Sequence, residues 1–176
     1  LAQAAVYDKI APLYRIFMFF WIRLFGDSEL SIRMPPLICG MLSIFMAYKL
    51  ALKLTNYKTA LLTAILLSVS PVHIWYSQEA SPYSMLLASF LIAIYSYYKL
   101  LEPEPGRLWY YSYFLSLLAA TFLHYGAFIY LIGLSCLCLG RKKDANQRKI
   151  LRINSVIFFS FIIFLATNFI FGGFKS

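Results

Sequence analysis

The sequence predicts an all-α fold: a polytopic bundle of about six transmembrane spans preceded by a short interfacial helix. Three observations predict it. Apolar side chains make up 61% of the 176 residues and charged ones only 13%, too few to cover a water-soluble domain of this length. The apolar residues come in runs of about 20, the number of helical residues that crosses a hydrocarbon core of ~30 Å. The bases, sixteen against seven acids for a net charge of +9, fall mainly in the breaks between runs. That is the placement of cytoplasmic loops, not of a nucleic-acid-binding patch.

Each element arises from local pattern. Residues 13–25, LYRIFMFFWIRLF, would make a helix of about 20 Å, too short to cross a bilayer. Arg15 and Arg23 stand about 80° apart around it, so both can reach headgroups, as on an interfacial helix at the outer surface. Gly26-Asp27-Ser28 turns the chain, and Asp27 or Ser28 can cap the next helix. The spans are expected at 30–55, 58–76, 82–101, 108–123, 124–139 and 150–171. Their breaks are TNYK (55–58), EPEPGR (102–107) and RKKDANQRK (141–149). Pro103, Pro105 and Gly106 make the second a firm helix stop.

Residues 108–139 would form one helix of about 50 Å, far longer than a bilayer requires. Charge resolves the choice. Lys49, Lys53 and Lys58 mark one side, and Lys99 with Arg107 mark it again. Two crossings, bent at Leu123-His124-Tyr125-Gly126, bring the basic 141–149 segment to that same side. The N-terminal segment, the 70–84 loop, the His124 bend and the C-terminal GGFKS then share the outer face. Cys39, Cys136 and Cys138 lie inside apolar runs with no CxxC and no neighbouring His, which makes them buried small apolar side chains and not disulfides or zinc ligands. The chain opens on Leu with no signal peptide of its own and reads as a piece of a longer protein. Residues 1–176 form one transmembrane domain: 1–28 is outer loop and interfacial helix, and 29–171 holds the spans.

The polar residues worth attention lie at that outer face. In SPVHIWYSQEASPYS (70–84), Glu79 is a carboxylate at the end of a span, costly unless it faces water, protein or a ligand. His73, Tyr76, Ser77 and Gln78 can exchange hydrogen bonds beside it, and Trp75 and Tyr83 suit an interface. A solvated loop with belt aromatics is the alternative reading. Asp8-Lys9 reads either as a solvated pair or as a site where Lys9 meets a lipid phosphate and Asp8 a metal or hydroxyl. His124, with Tyr125, is either a hydrogen-bonded core residue or part of a site, and Arg33 can snorkel to headgroups.

Asp8-Lys9-Ile10-Ala11-Pro12-Leu13-Tyr14, followed by FWIRLFGDSELSIRMPPLICG (20–40), resembles the GT-C class of membrane glycosyltransferases. The similarity is to the bacterial branch related to protein O-mannosyltransferases and aminoarabinose transferases. The 70–84 stretch resembles that family's S-P-x-H-x-x-Y-S-Q-E-A-R-x-Y, and Leu123-His124-Tyr125 its T-H-Y. The three matches occur in the family's order across almost the whole chain. Ile10 and Ala11 stand where His and the first Pro are usual, and Ser81 replaces the Arg, leaving Lys9, Arg15 or Arg33 to supply positive charge.

The resemblance implies transfer of a sugar from a polyprenyl-phosphate donor to a lipid, glycan or protein acceptor, with no nucleic-acid partner. The active site would face the outer, periplasmic side of a bacterial inner membrane. Glu79 and Asp8 are the expected catalytic residues, with Lys9, His73, Tyr76, Gln78, Tyr83, His124 and Tyr125 binding substrate and a divalent cation as a possible cofactor. The general base is expected upstream of Leu1, and these residues alone are expected to be inactive. A transporter or flippase, or a non-catalytic membrane scaffold, is the alternative.

Overall fold

The computed structural model describes residues 12–139 and 145–172, which form an all-α chain of eight helices. Asp8, Lys9, Ile10, Ala11 and the first four residues of the basic turn (141–144) lie outside the described residues. Helix α1 (Pro12–Phe25) ends at Gly26, whose φ of +83° is a left-handed conformation that residues with a Cβ resist. Ser28 then caps α2 (Glu29–Leu54), its hydroxyl accepting the Ser31 N–H at 3.2 Å.

Pro35 and Pro36 sit inside α2, and Pro35 has no N–H to give to the carbonyl four residues back, that of Ser31. The indole Nε1–H of Trp21 supplies the missing donor, 2.9 Å from Ser31 O. A proline in one helix thus creates the acceptor that docks another. Trp21→Phe is expected to lower thermal stability by about 1–2 kcal/mol through the orphaned carbonyl; an unchanged melting temperature would show that the indole bond does not hold α1.

Among the buried residues of α2, Pro36, Gly40, Ser43 and Ala47 recur every three or four positions, a small-residue stripe that allows close helix approach. Asn56 caps α3 (Tyr57–Ser68), Oδ1 accepting the Thr59 N–H at 3.0 Å. The expected single span at 58–76 is divided here. Helix α4 (Pro71–Gln78) starts on a proline after its cap Ser70 and bends 58° from α3. Proline at the first helical position cannot continue the preceding ladder, and it pushes Ser70 into extended backbone.

Helix α5 (Tyr83–Leu100) packs most extensively against α2 and α6 (Arg107–Leu123). At one end of the bundle the Glu102 carboxylate takes hydrogen bonds from Lys53 and, at 3.0 Å, Lys99. Those bonds, Lys53's first, hold its carboxyl below the ordinary 4.5. This contact places the C-termini of α2 and α5 side by side. A 3₁₀ turn (Tyr125–Ala127) leads into α7 (Phe128–Leu139), and α8 (Ala145–Gly172) completes the chain of helices.

Ala93, Tyr97, Leu100, Tyr113, Leu117, Leu131 and Ile157 form the main core among α5 to α8. Polar bonds cross it. Tyr113 Oη donates to Asn154 Oδ1 at 2.8 Å, and Asn154 Nδ2 donates to Ser135 Oγ at 3.0 Å. Among the cysteines, all free, Cys138 is buried and Cys39 half-buried, whereas Cys136 is exposed on α7, contrary to its expected burial.

Large apolar side chains cover the outside. Leu30, Met41 and Phe45 on α2, Leu62 and Leu66 on α3, and Phe159 and Ile163 on α8 are all exposed. Faces of that extent mark lipid or partner contact. Among the described residues α2 is long and apolar enough to cross a membrane, and the bent α3–α4 pair qualifies as a second if it counts as one span. The described residues thus show one or two such spans and not the six expected.

Candidate functional site

The end of the bundle opposite Glu102 carries the polar and aromatic residues. Its frame is the contact of α4 with α2. His73 is buried, its imidazole facing the Gly40 backbone. Ser77, one turn on, is also buried and donates to His73 O at 2.7 Å. Gly40 is needed there: a Cβ on it would lie 2.8 Å from Ser77 Cβ and closer still to Ser77 Oγ.

Glu79 closes α4 as its C-cap, its N–H bonded to Trp75 O at 3.1 Å. The side chain is exposed, and no hydrogen bond or ion pair holds the carboxylate among the described residues. Gln78 is exposed beside it. The chain then turns through Ser81, whose N–H reaches Glu79 O at 2.8 Å. Ser84 Oγ donates back to Tyr76 O at 2.6 Å, tying the start of α5 to α4.

That tie sets an aromatic row. The rings of Tyr76 and Tyr83 are 4.8 Å apart, and those of Tyr83 and His124 5.8 Å. His124 caps α6 with its N–H on Ala120 O at 3.2 Å. Its Nδ1 accepts the Gly126 N–H at 3.0 Å, which leaves Nε2 to carry the proton of the neutral ring. A Cβ on Gly126 would come 2.9 Å from that Nδ1, so glycine preserves the bond. His73, Tyr76, Tyr83, Ser84, Leu67 and Leu87 line a pocket of about 230 Å³ against this row.

The structure therefore brings His73, Tyr76, Tyr83 and His124 together, with Gln78 and Glu79 at the rim. Asp8, Lys9 and the Tyr125 side chain lie outside the described residues. Arg33 pairs with Glu29 at 2.6 Å on the exposed face of α2 and joins none of them. Among the described residues no three His, Cys, Asp or Glu side chains gather as a metal site would require.

Sequence reasoning does not single out Ser84, Leu67 and Leu87 of the pocket lining, nor Tyr14 nearby. Tyr14 of α1 packs with Met18, Met85 and Leu123, the last two being neighbours of Tyr83 and His124. Burial, with the Glu79 charge adding to it, pushes its phenol up to about 12. The one available signal is its place at the end of the Ala11-Pro12-Leu13-Tyr14 run.

The chain is all-α, with large apolar side chains outside, an aromatic-lined pocket at one end and, among the described residues, one unbroken helix long and apolar enough to cross a membrane. A family model described as dolichyl-phosphate-mannose-protein mannosyltransferase matches residues 9–169. The chain belongs to that family. No curated protein and no solved structure matches it.

Proposed function

We propose that the intact protein is a membrane glycosyltransferase that moves a sugar from a polyprenyl-phosphate carrier to a lipid, glycan or protein acceptor. The observation that carries this reading, beside the family membership, is the separation of charge along the bundle. The Lys53–Glu102–Lys99 cluster lies at one end, and Glu79 with the Tyr76–Tyr83–His124 row lies at the other. Six spans would put the first end in the cytoplasm and the second at the periplasmic face of a bacterial inner membrane. A transfer reaction needs groups there that bind the departing phosphate and orient the acceptor hydroxyl. In this reading Glu79 orients hydroxyls, His124 offers its Nε2–H, and Asp8 and Lys9 meet the phosphate or a divalent cation.

The bent α3–α4 pair favours a second reading, because broken helices are a device of transporters. One experiment separates the two. The intact protein in sealed vesicles containing polyprenyl-phosphate mannose is expected to release mannose from the carrier in an acceptor-dependent manner. Single cysteines at Ala80 and Pro105 are expected to label from opposite compartments. A carrier left intact while a sugar crosses the vesicle wall would replace the transferase by the transporter, and labelling of both positions from one side would overturn the orientation.

A further inference from the structure

The end of the bundle opposite the pocket carries positive charge that it does not balance. Among the described residues its bases are Lys49, Lys53, Lys58, Lys99, Arg107, Arg148, Lys149 and Arg152, and its acids Glu102 and Glu104. Glu102 is taken by Lys53 and Lys99. The excess gathers where the start of α8 meets the start of α6. Tyr110 Oη donates to Asn146 Oδ1 at 2.8 Å and joins the two helices. The Lys149 ammonium stands 5.2 Å from the centre of the Tyr110 ring. Arg107 precedes Tyr110 by three residues and so shares its face of α6, which gathers a base from each helix beside that contact. Arg148, Lys149 and Arg152 fall within about 100° around α8. All four of these bases are exposed, and no carboxylate pairs with any of them among the described residues. Leu108 and Tyr111, next to Arg107 on α6, are 72% and 64% exposed.

We propose that this patch, centred on Arg107, Lys149 and Arg152, is a docking surface for the phosphate groups of anionic phospholipids in the leaflet opposite the pocket. The proposal needs the bundle to lie in a membrane in the orientation given above, but not the transfer reaction. Charge complementarity selects the partner. Unbalanced guanidinium and ammonium groups attract a phosphodiester, whereas a zwitterionic headgroup brings a cation of its own, which these bases repel. Position selects a lipid over a soluble anion. Leu108 and Tyr111 extend the patch onto apolar surface, where the glycerol and acyl carbons of a lipid can lie and a free phosphate gains nothing. A lipid held there ties the turn between α5 and α6 to α8 from outside, beside the Tyr110–Asn146 bond.

The test titrates the intact protein, in uncharged detergent, with phosphatidylglycerol, phosphatidylcholine and inorganic phosphate. Phosphatidylglycerol is expected to bind more tightly than phosphatidylcholine, with a preference that shrinks as salt rises. R107Q, K149Q and R152Q are each expected to weaken phosphatidylglycerol about fivefold and to leave phosphatidylcholine unchanged. K49Q and K58Q remove the same charge from α2 and α3, away from the patch, and are expected to bind both lipids as the parent does. An equal loss in K49Q or K58Q would overturn the patch in favour of diffuse attraction by net charge. Equal binding of the two lipids by the parent would overturn it whatever the stability of the variants. Displacement of phosphatidylglycerol by inorganic phosphate at constant ionic strength would replace the lipid with a soluble anion. No arm of the test uses a sugar, so the patch and the transferase reading fail separately, and labelling at Pro105 assigns the leaflet.

Discussion

Glu79→Gln in the intact protein is expected to lower the rate of sugar transfer roughly 10²-fold, about the loss seen when one preorganised polar group is removed from a reacting centre. The substitution keeps the shape of the side chain and removes its charge. Glu79 is exposed and no bond within the described structure depends on its carboxylate. Folding should therefore be almost indifferent, within about 0.5 kcal/mol, as for other surface changes. A large loss of transfer at constant melting temperature is the signature of a group that works on substrate. Transfer at the parental rate would remove Glu79 from the site. A parallel loss of stability would move its role from chemistry to folding.

Gly40→Ala is expected to have the opposite profile: a fall in stability of about 1–3 kcal/mol from overpacking, together with a loss of transfer. The added Cβ falls 2.8 Å from Ser77 Cβ. Serine is too short to swing aside, so α4 must move away from α2. That movement strains the contact of His73 with the Gly40 backbone and shifts Tyr76, which holds one end of the aromatic row. Ser77→Gly removes the clashing atoms. The Gly40→Ala, Ser77→Gly double variant should recover much of the transfer that the first change costs, a coupling that independent sites do not show. Parental stability in the single variant would mean that α4 is not seated as closely as described.

The two substitutions divide the site into what chemistry needs and what packing needs, and the sequence displays them unequally. Glu79 is visible because a carboxylate among aromatics at the end of an apolar run conflicts with its surroundings. Gly40 is one member of a Pro36, Gly40, Ser43, Ala47 stripe, whose three- and four-residue spacing announces a close helix contact without naming the partner. Tyr14 has only its place in the run that ends on it. Its burial arises when α1 folds back, held by an indole that answers a proline in the next helix. The break at Val69-Ser70 is a further case. Pro71 is in plain view, but the run from 58 to 76 is apolar enough to read as one span, and apolarity outweighs the local backbone rule in such a reading.

By itself the sequence determined the all-α class, the order of the helices and most of their ends. Those depend on apolar run length, caps and prolines, which act over a few residues. Only the tertiary structure decided which polar groups meet. Tyr83 and His124 are forty-one positions apart in the chain, and no local preference of either encodes their 5.8 Å approach. Their meeting depends on the antiparallel packing of α5 and α6 and on a hydroxyl, Ser84, that anchors α5 to the neighbouring helix. Side-chain geometry at that distance is a property of how helix faces interlock, and interlocking is settled by all the faces together.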